Sequence, residues 1–350
     1  MGFRECCTAI LAGLPDPALP LLPSMVLGAS FSAVILFIVY KKQSNMPLKT
    51  IISDLFRMVF CAFPLHEHSQ SGSCQSLDCV RCKKYGDVES KVLEKYEEIK
   101  SKRGKTGLKR IEESLSLIKK KHYPHLKFEV DSMNTSKKRR PDSQRPTMFY
   151  MDLAANPYWN EFDVFKMEIE LLKLNFSIIF SEFEEVFEAL KSGNSQGWKL
   201  NDIPKGHWCI FPFIDQGVTI DNNCRMCPNT STMIGSLPSL MKDCVFGNAC
   251  FSILYPDSHI EPHHGPTNLR LRCHLGLSVP NGCWLEVAGK QYKWQPQQAC
   301  VFDDSFEHSA TFVNQSSSAH AKPRAVLMLD FWHPDVTAEE KKILLELLVP

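Results

Sequence analysis

A chain of 350 residues, 44% of them apolar, has material for one sizeable domain and a smaller region, or for two modest domains. Forty basic residues against 39 acidic ones leave a net charge of +1, so the chain lacks the global positive field that marks a nucleic-acid binder. Fourteen cysteines are many, and eight of them fall between Cys209 and Cys300, which implies either an oxidising compartment or several buried thiols.

Residues 1–23 are a short tail of mixed character. Ser24 to Tyr40 carry no charge, and at about 1.5 Å per residue they just reach across a bilayer core with help from Leu21 and Leu22. Tyr40, Lys41 and Lys42 make an interfacial end. The preceding residues and the lack of a small-residue cleavage site favour a transmembrane anchor over 24–40 rather than a cleaved signal peptide or a core helix. Lys41, Lys42, Lys49 and Arg57 outweigh Arg4, which by the positive-inside rule puts the C-terminal bulk in the cytosol. The cysteines and four glycosylation sequons, at Asn134, Asn175, Asn229 and Asn314, point the other way. Charge alone does not decide.

Residues 41–145 read as a cysteine-containing, helical juxtamembrane region and linker. Cys74, Cys79 and Cys82, with His66 and His68 upstream, are either a zinc knuckle or a Cys-rich stalk. The stalk is favoured, because the histidines come first and no second C-x-x-C follows at finger spacing. Apolar residues at three- and four-residue steps predict one or two exposed helices over 88–121. "SMNTSKKRRPDSQRP" is a polar linker whose Lys-Lys-Arg-Arg run reads as solvated charge rather than a nuclear signal.

A separate domain is expected over 146–350. "FDVFKMEIELLKLNFSIIFSEFEEVFEALKSG" is strongly helical, with Gly193 as its stop. From "QGWKL" onward, short runs broken by Gly, Pro and Asn predict an all-β core with long loops. No internal repeat is visible, so the chain is not a solenoid.

The chemistry concentrates in "PDSHIEPHHGPTNLRLRCHLGL", residues 256–277, which holds four histidines, two arginines and one glutamate. "NLRLRCHLGLSV" alternates: Leu269, Leu271, Cys273, Leu275, Leu277 and Val279 point one way, and Arg270, Arg272, His274 and Ser278 the other. Such a polar face is either a solvated edge or the lining of a cavity. "NACFSILYP" supplies another strand, carrying Ser252. "PRAVLMLDFWHP" reads as a strand buried on both sides with Arg324 at its head.

A proximal histidine pair, a distal His308 and a following arginine resemble, in their order, the Fe(II)/2-oxoglutarate dioxygenases. These are built on a double-stranded β-helix and hold iron by two histidines and commonly a carboxylate. By that template alone His259 and Glu261 are the H-x-E pair; the alternative, His263-His264-Gly265, has glycine where the carboxylate belongs. "PHHGPTNLRLRCHLGL", "FDDSFEH" and "DFWHP" are similar to the aspartyl/asparaginyl β-hydroxylase family. "CQSLDCVRC" and "VFGNAC" narrow the resemblance to its membrane-anchored, aspartate β-hydroxylase domain-containing members. The likeness is close over 195–335 and loose in the N-terminal half.

The resemblance implies a mainly β fold: a double-stranded β-helix (jelly-roll, cupin-like) with flanking helices, preceded by one transmembrane helix. It puts the iron ligands on His263 and His308, leaves Gly265 in place of the carboxylate, and moves His259 and Glu261 to the rim. Arg272 and His274 would contact the C1 carboxylate of 2-oxoglutarate, and Ser252 and Arg324 its C5 carboxylate, which suits the bidentate fork of a guanidinium. Trp208 would line the cosubstrate pocket, and Cys273 is counted with these cofactor contacts. Asp303 and Asp304 either orient the distal histidine loop or cap a tight turn. His320 and His333 are surface or structural histidines.

Fe(2+) and 2-oxoglutarate are the implied cofactor and cosubstrate, and Asp or Asn of a protein or peptide the implied substrate. The expected protein is a type II single-pass glycoprotein with its catalytic domain in the endoplasmic reticulum or Golgi lumen. Three departures stand out. Arg324 follows His308 across an insertion, "NQSSSAHAK"; the founding enzyme's helical-repeat domain has no counterpart; and "CRMC" puts a local disulfide in doubt. The vacant carboxylate position also leaves room for a halide, and hence for halogenation. The alternatives are a catalytically silent, anchored β-barrel that only binds, and a zinc adaptor built on residues 66–82.

Overall fold

Period-two patterning beyond residue 198 becomes two antiparallel sheets, seen in a computed structural model that describes residues 88–103, 109–122, 142–160, 163–201, 203–315 and 322–350. The expected anchor at 24–40, the Cys74/Cys79/Cys82 cluster, the Lys-Lys-Arg-Arg run, Asn134 and His320 lie outside the described residues. No described helix is long and apolar enough to cross a membrane.

The larger sheet runs in the order β1 (Lys199–Asn201), β2 (Trp208–Asp215), β4 (Ala249–Leu254), β11 (Arg324–Trp332), β6 (Arg270–Ser278), β9 (Ala299–Phe302), with β3 (Val218–Thr219) paired to β2. The smaller is β5 (Ser258–His263), β10 (His308–Phe312), β7 (Cys283–Val287), β8 (Lys290–Tyr292). All nine residues of β11 are buried, as its unbroken apolar run predicts.

Alternation divides the larger sheet into two faces. Phe251, Ile253, Leu271, Cys273, Leu275, Leu327 and Leu329 pack outward under two helices, α3 (Lys166–Leu174) and α4 (Phe176–Lys191). Leu254, Cys300, Phe302 and Val326 point inward and share a core with Ile260, Leu285, Val287, Ala310 and Phe312 of the smaller sheet. The single helix expected over this region is broken at Asn175, whose side-chain amide donates to Leu171 O at 2.8 Å. Gly193, at φ +97°, ends α4 as expected.

Two expectations fail here. The region after Lys199 is not all β: α5 (Asp221–Met226) and α6 (Pro228–Gly235) interrupt it, α6 opening on a proline whose missing N–H costs nothing at that position. Nor are α1 (Val88–Arg103) and α2 (Lys109–His122) simply exposed. Val92, Tyr96, Ile99, Ile111, Leu115 and Ile118 form one cluster with Phe149, Met151 and, from α7 (Ala338–Leu347), Ile343, Leu344 and Leu347. Arg110 locks the contact, reaching both carboxylate oxygens of Glu340 at 2.8 and 2.6 Å and the carbonyl of Asp335 at 2.8 Å. All described residues fall in one compact unit, Ser71–Pro350.

The eight described cysteines are free thiols, six of them buried. Cys224 and Cys227 of "CRMC" turn to different carbonyls, Phe213 O and Glu182 O.

Ile111 is fully buried between elements far apart in sequence, so Ile111→Ala should cost about 2–5 kcal/mol of unfolding free energy in a denaturant titration. A fragment beginning at 146 should unfold at lower denaturant than one beginning at 71.

Candidate active site

The site begins with a backbone register. β10 pairs with β5 so that His308 faces His263, but two residues further along β10 Ala310 faces Ile260. β5 thus carries one extra residue between Ile260 and His263. This bulge reverses the facing parity of the strand, so that Ile260 enters the inner core while His263 meets His308. The two imidazole centroids are 4.1 Å apart.

Each ring is oriented in the same way. His263 Nδ1 lies 2.8 Å from Glu261 O, and His308 Nδ1 lies 3.0 Å from Phe306 O. A carbonyl only accepts, so each Nδ1 carries the proton and donates it, which leaves Nε2 as the lone-pair nitrogen of each ring. Burial lowers the His308 pKa to about 4, Asp304 opposing the shift, so the ring is neutral at physiological pH. Neutral imidazoles held by backbone carbonyls are the form that ligates a transition metal. His259 spends Nδ1 on Thr311 Oγ1 at 2.9 Å, and Glu261 is exposed; neither belongs to the pair.

Gly265 explains why no carboxylate comes from the proximal motif. A Cβ at this position would stand 2.6 Å from the carboxylate of Asp304, whose own backbone carbonyl accepts from Gly265 N at 2.6 Å. An acid from another loop therefore fills the space a side chain at 265 would need. Burial works against its charge, but Arg270 and Arg272 hold the Asp304 carboxyl well below the usual range. Among the described residues, no group of three or more His, Cys, Asp and Glu is arranged to hold a metal.

Four charged groups support this corner, of which the sequence reading singled out Arg272 and, as an alternative to turn-capping, Asp304. Arg270 reaches Asp304 at 2.5 Å and Asp330 at 3.2 Å. Arg272 meets Asp330 through Nε at 2.8 Å and Nη2 at 3.0 Å, and Asp304 through Nη1 at 3.3 Å. Asn248 adds two bonds to Asp330, from its backbone and side-chain nitrogens. A signal for Asp330 was present: a lone acid in a run of otherwise apolar strand residues must find a partner.

Further along the inner face lie groups with unmet polar demand. Arg324 is 2% exposed, and burial lowers its pKa to about 10, so it stays charged. Its guanidinium lies over the Trp294 ring at 4.7 Å and meets Ser252 O and Oγ at 3.3 and 3.4 Å; among the described residues Nε has no partner. Trp208 Nε1 donates to the same Ser252 hydroxyl at 3.0 Å. Neither ring nitrogen of His274 has a hydrogen-bond partner, and burial, then Arg324 and Arg272, keep the ring neutral. A buried guanidinium without a carboxylate calls for an anion. Trp208, Ser252, His274 and Arg324 thus connect, through Trp294 and Phe302, with His308 of the histidine pair, and Arg272 approaches the pair through Asp304. Cys273 does not join them: its side chain sits in the outer core with Leu271 and Leu275, because it alternates with Arg272 and His274.

The last residues of the expected linker also belong to the site. Arg145 N donates to Ser305 O at 2.8 Å and Thr147 N to Gly265 O at 3.0 Å, while Gln144 bonds Asp303 Oδ2 at 2.5 Å. This strap ties the two histidine-bearing loops together. Asp303 also accepts from Ser305 N at 2.8 Å, so it caps its turn as well as bonding the strap; burial pushes its carboxyl up to about 7. His333 is structural: its Nε2 donates to Ala154 O at 3.0 Å.

A sequence profile described as Aspartyl/Asparaginyl beta-hydroxylase matches residues 173–334. Aspartate beta-hydroxylase domain-containing protein 2 of Mus musculus is 38% identical over 279 residues, covering 79% of this chain and 76% of that protein. Aspartyl/asparaginyl beta-hydroxylase of Homo sapiens is 34% identical over 194 residues, 55% of this chain and 24% of that longer protein. Among solved structures, a Pseudomonas putida prolyl-4-hydroxylase is 13% identical and aligns over 45% of this chain and 87% of its own, with a TM-score of 0.28. With 38% identity across about three quarters of a relative's length, this chain belongs to the aspartyl/asparaginyl beta-hydroxylase family.

Proposed function

We propose that the chain is an Fe(II)- and 2-oxoglutarate-dependent dioxygenase on a double-stranded β-helix, hydroxylating Asp or Asn of a protein substrate. The observation that carries this reading is the pairing of His263 and His308, 4.1 Å between ring centres, on the same inner side as a buried arginine that has no counter-ion among the described residues. Family membership supports the hydroxylase class.

His263 and His308 would hold the iron through Nε2, their Nδ1 protons fixed on Glu261 O and Phe306 O. Arg324, Ser252 and Trp208 would bind the C5 carboxylate, where a charged fork is already desolvated and stacked on Trp294. Arg272 and His274 would meet the C1 end. When bound, iron and 2-oxoglutarate supply the oxidising chemistry: dioxygen gives one oxygen atom to the substrate C–H and the other to succinate, with loss of carbon dioxide. Asp304 bears on the outcome. Its carboxylate fills the space beside Gly265, and a fixed anion there repels another, which supports hydroxylation over halogenation.

For location, the lumenal type II arrangement rests on the anchor-like segment at 24–40 and the sequons. The described cysteines are unpaired and mostly buried, so they no longer weigh for an oxidising compartment. Asn175 and Asn229 commit their side-chain amides, to Leu171 O and to Glu182, whereas Asn314 lies in the loop after β10.

Anaerobic addition of iron and then 2-oxoglutarate to the full chain should produce a metal-to-ligand charge-transfer band. His263→Ala should abolish the band and His259→Ala should leave it. Gly265→Asp, which restores a carboxylate to the motif, should weaken iron binding at least tenfold because the new acid collides with Asp304; tighter binding would refute this account of the glycine. Endoglycosidase should increase the electrophoretic mobility of the protein made in microsomes, and Asn314→Gln should remove most of that change. Unmodified sequons with a protease-accessible C-terminal half would place the domain on the cytosolic side.

A further inference from the structure

Asp330 sits on β11 in the middle of the larger sheet with no exposure, among strand neighbours that are nearly all apolar. Burying Arg270, Arg272, Asp304 and Asp330 together takes four charges out of water, an arrangement that apolar residues of similar volume commonly match or exceed in stability. What the quartet does supply is direction. Asp330 takes two of the three nitrogens of Arg272, Nε and Nη2, in a side-on pair. The Nη1 edge has the longest of these contacts, to Asp304 at 3.3 Å, and Arg272 shares its face of β6 with His274. Asp330 is itself held from behind by both nitrogens of Asn248 and by Arg270.

We infer that Asp330 is a positioning residue for the keto acid: it turns Arg272 so that Nη1 is presented to the C1 carboxylate, and Asn248 fixes Asp330 in that pose. The inference rests on the proposed dioxygenase reading and adds to it a residue that touches neither iron nor cosubstrate. Without the Asp330 carboxylate, Arg272 is free to swing fully onto Asp304, which already stands 3.3 Å from Nη1. The site would then keep its histidines and its C5 seat while losing the anion contact at the C1 end.

The test separates iron from keto acid. Iron bound before 2-oxoglutarate is added is measured by equilibrium dialysis, and the keto acid is then titrated anaerobically through the charge-transfer band. For Asp330→Asn, iron affinity should change by less than threefold, while the 2-oxoglutarate dissociation constant should rise at least tenfold and the band should shift in wavelength. Asn248→Ala keeps the Asp330 charge and removes one of its anchors; it should raise the keto-acid constant about two- to fivefold with iron unchanged. This variant carries the test if Asp330→Asn does not fold.

Parallel losses of iron and keto acid, or unchanged keto-acid binding in both variants, would overturn the positioning role. A wild-type protein that binds iron and keto acid normally while both variants also do so refutes only this inference. A wild-type protein with no charge-transfer band refutes the dioxygenase reading itself, and this inference with it.

Discussion

The pairing of β5 with β10 is the constraint on which the site depends. Antiparallel strands bring cross-strand partners into side-chain contact only where the register and the facing side agree. The extra residue in β5 lets Ile260 seal the inner core and His263 meet His308 within the same short strand. The i–2 carbonyls then fix both rings in one tautomer. The histidine pair is thereby set largely by backbone geometry, with no acidic side chain from the proximal motif.

Charge completes what the register begins. The inner face of the larger sheet holds two kinds of arginine with opposite states. Arg270 and Arg272 are paired with Asp304 and Asp330, and the four charges sum to zero in a largely buried cluster. Arg324, by contrast, has an aromatic ring and a serine for company but no acid. A neutral cluster rigidifies; an uncompensated guanidinium creates demand. The division of this inner face into a fixed end and an anion-seeking end follows from that difference in partners.

Distant parts of the chain steady the same corner. Residues 144–149 run past both histidine loops and bond each of them through the backbone. Nearby, α1 and α2 are welded to α7 by apolar packing and by Arg110. The N-terminal helices and the site are consequently parts of one unit, and a chain cut at 146 would remove Gln144 and Arg145 from the histidine loops.

Much of this was legible in the sequence. Alternation alone placed Arg270, Arg272 and His274 on one face of β6 and the leucines and Cys273 on the other. The unbroken apolar run of β11 announced burial on both sides. Family resemblance, rather than periodicity, distinguished His263 from His259, because only the fold reveals the extra residue that reverses the facing of β5. The strap, the burial of one face of α1 and α2, and the partners of Asp330 were hidden for a common reason. Each depends on contacts between residues many positions apart, and a local pattern carries no information about which distant group will neutralise a charge or cover an apolar stripe. The amino-acid order determined which side chains face inward and which chemistry they bring; the tertiary pairing decided which of them meet, because register and charge compensation are properties of two strands together and never of one.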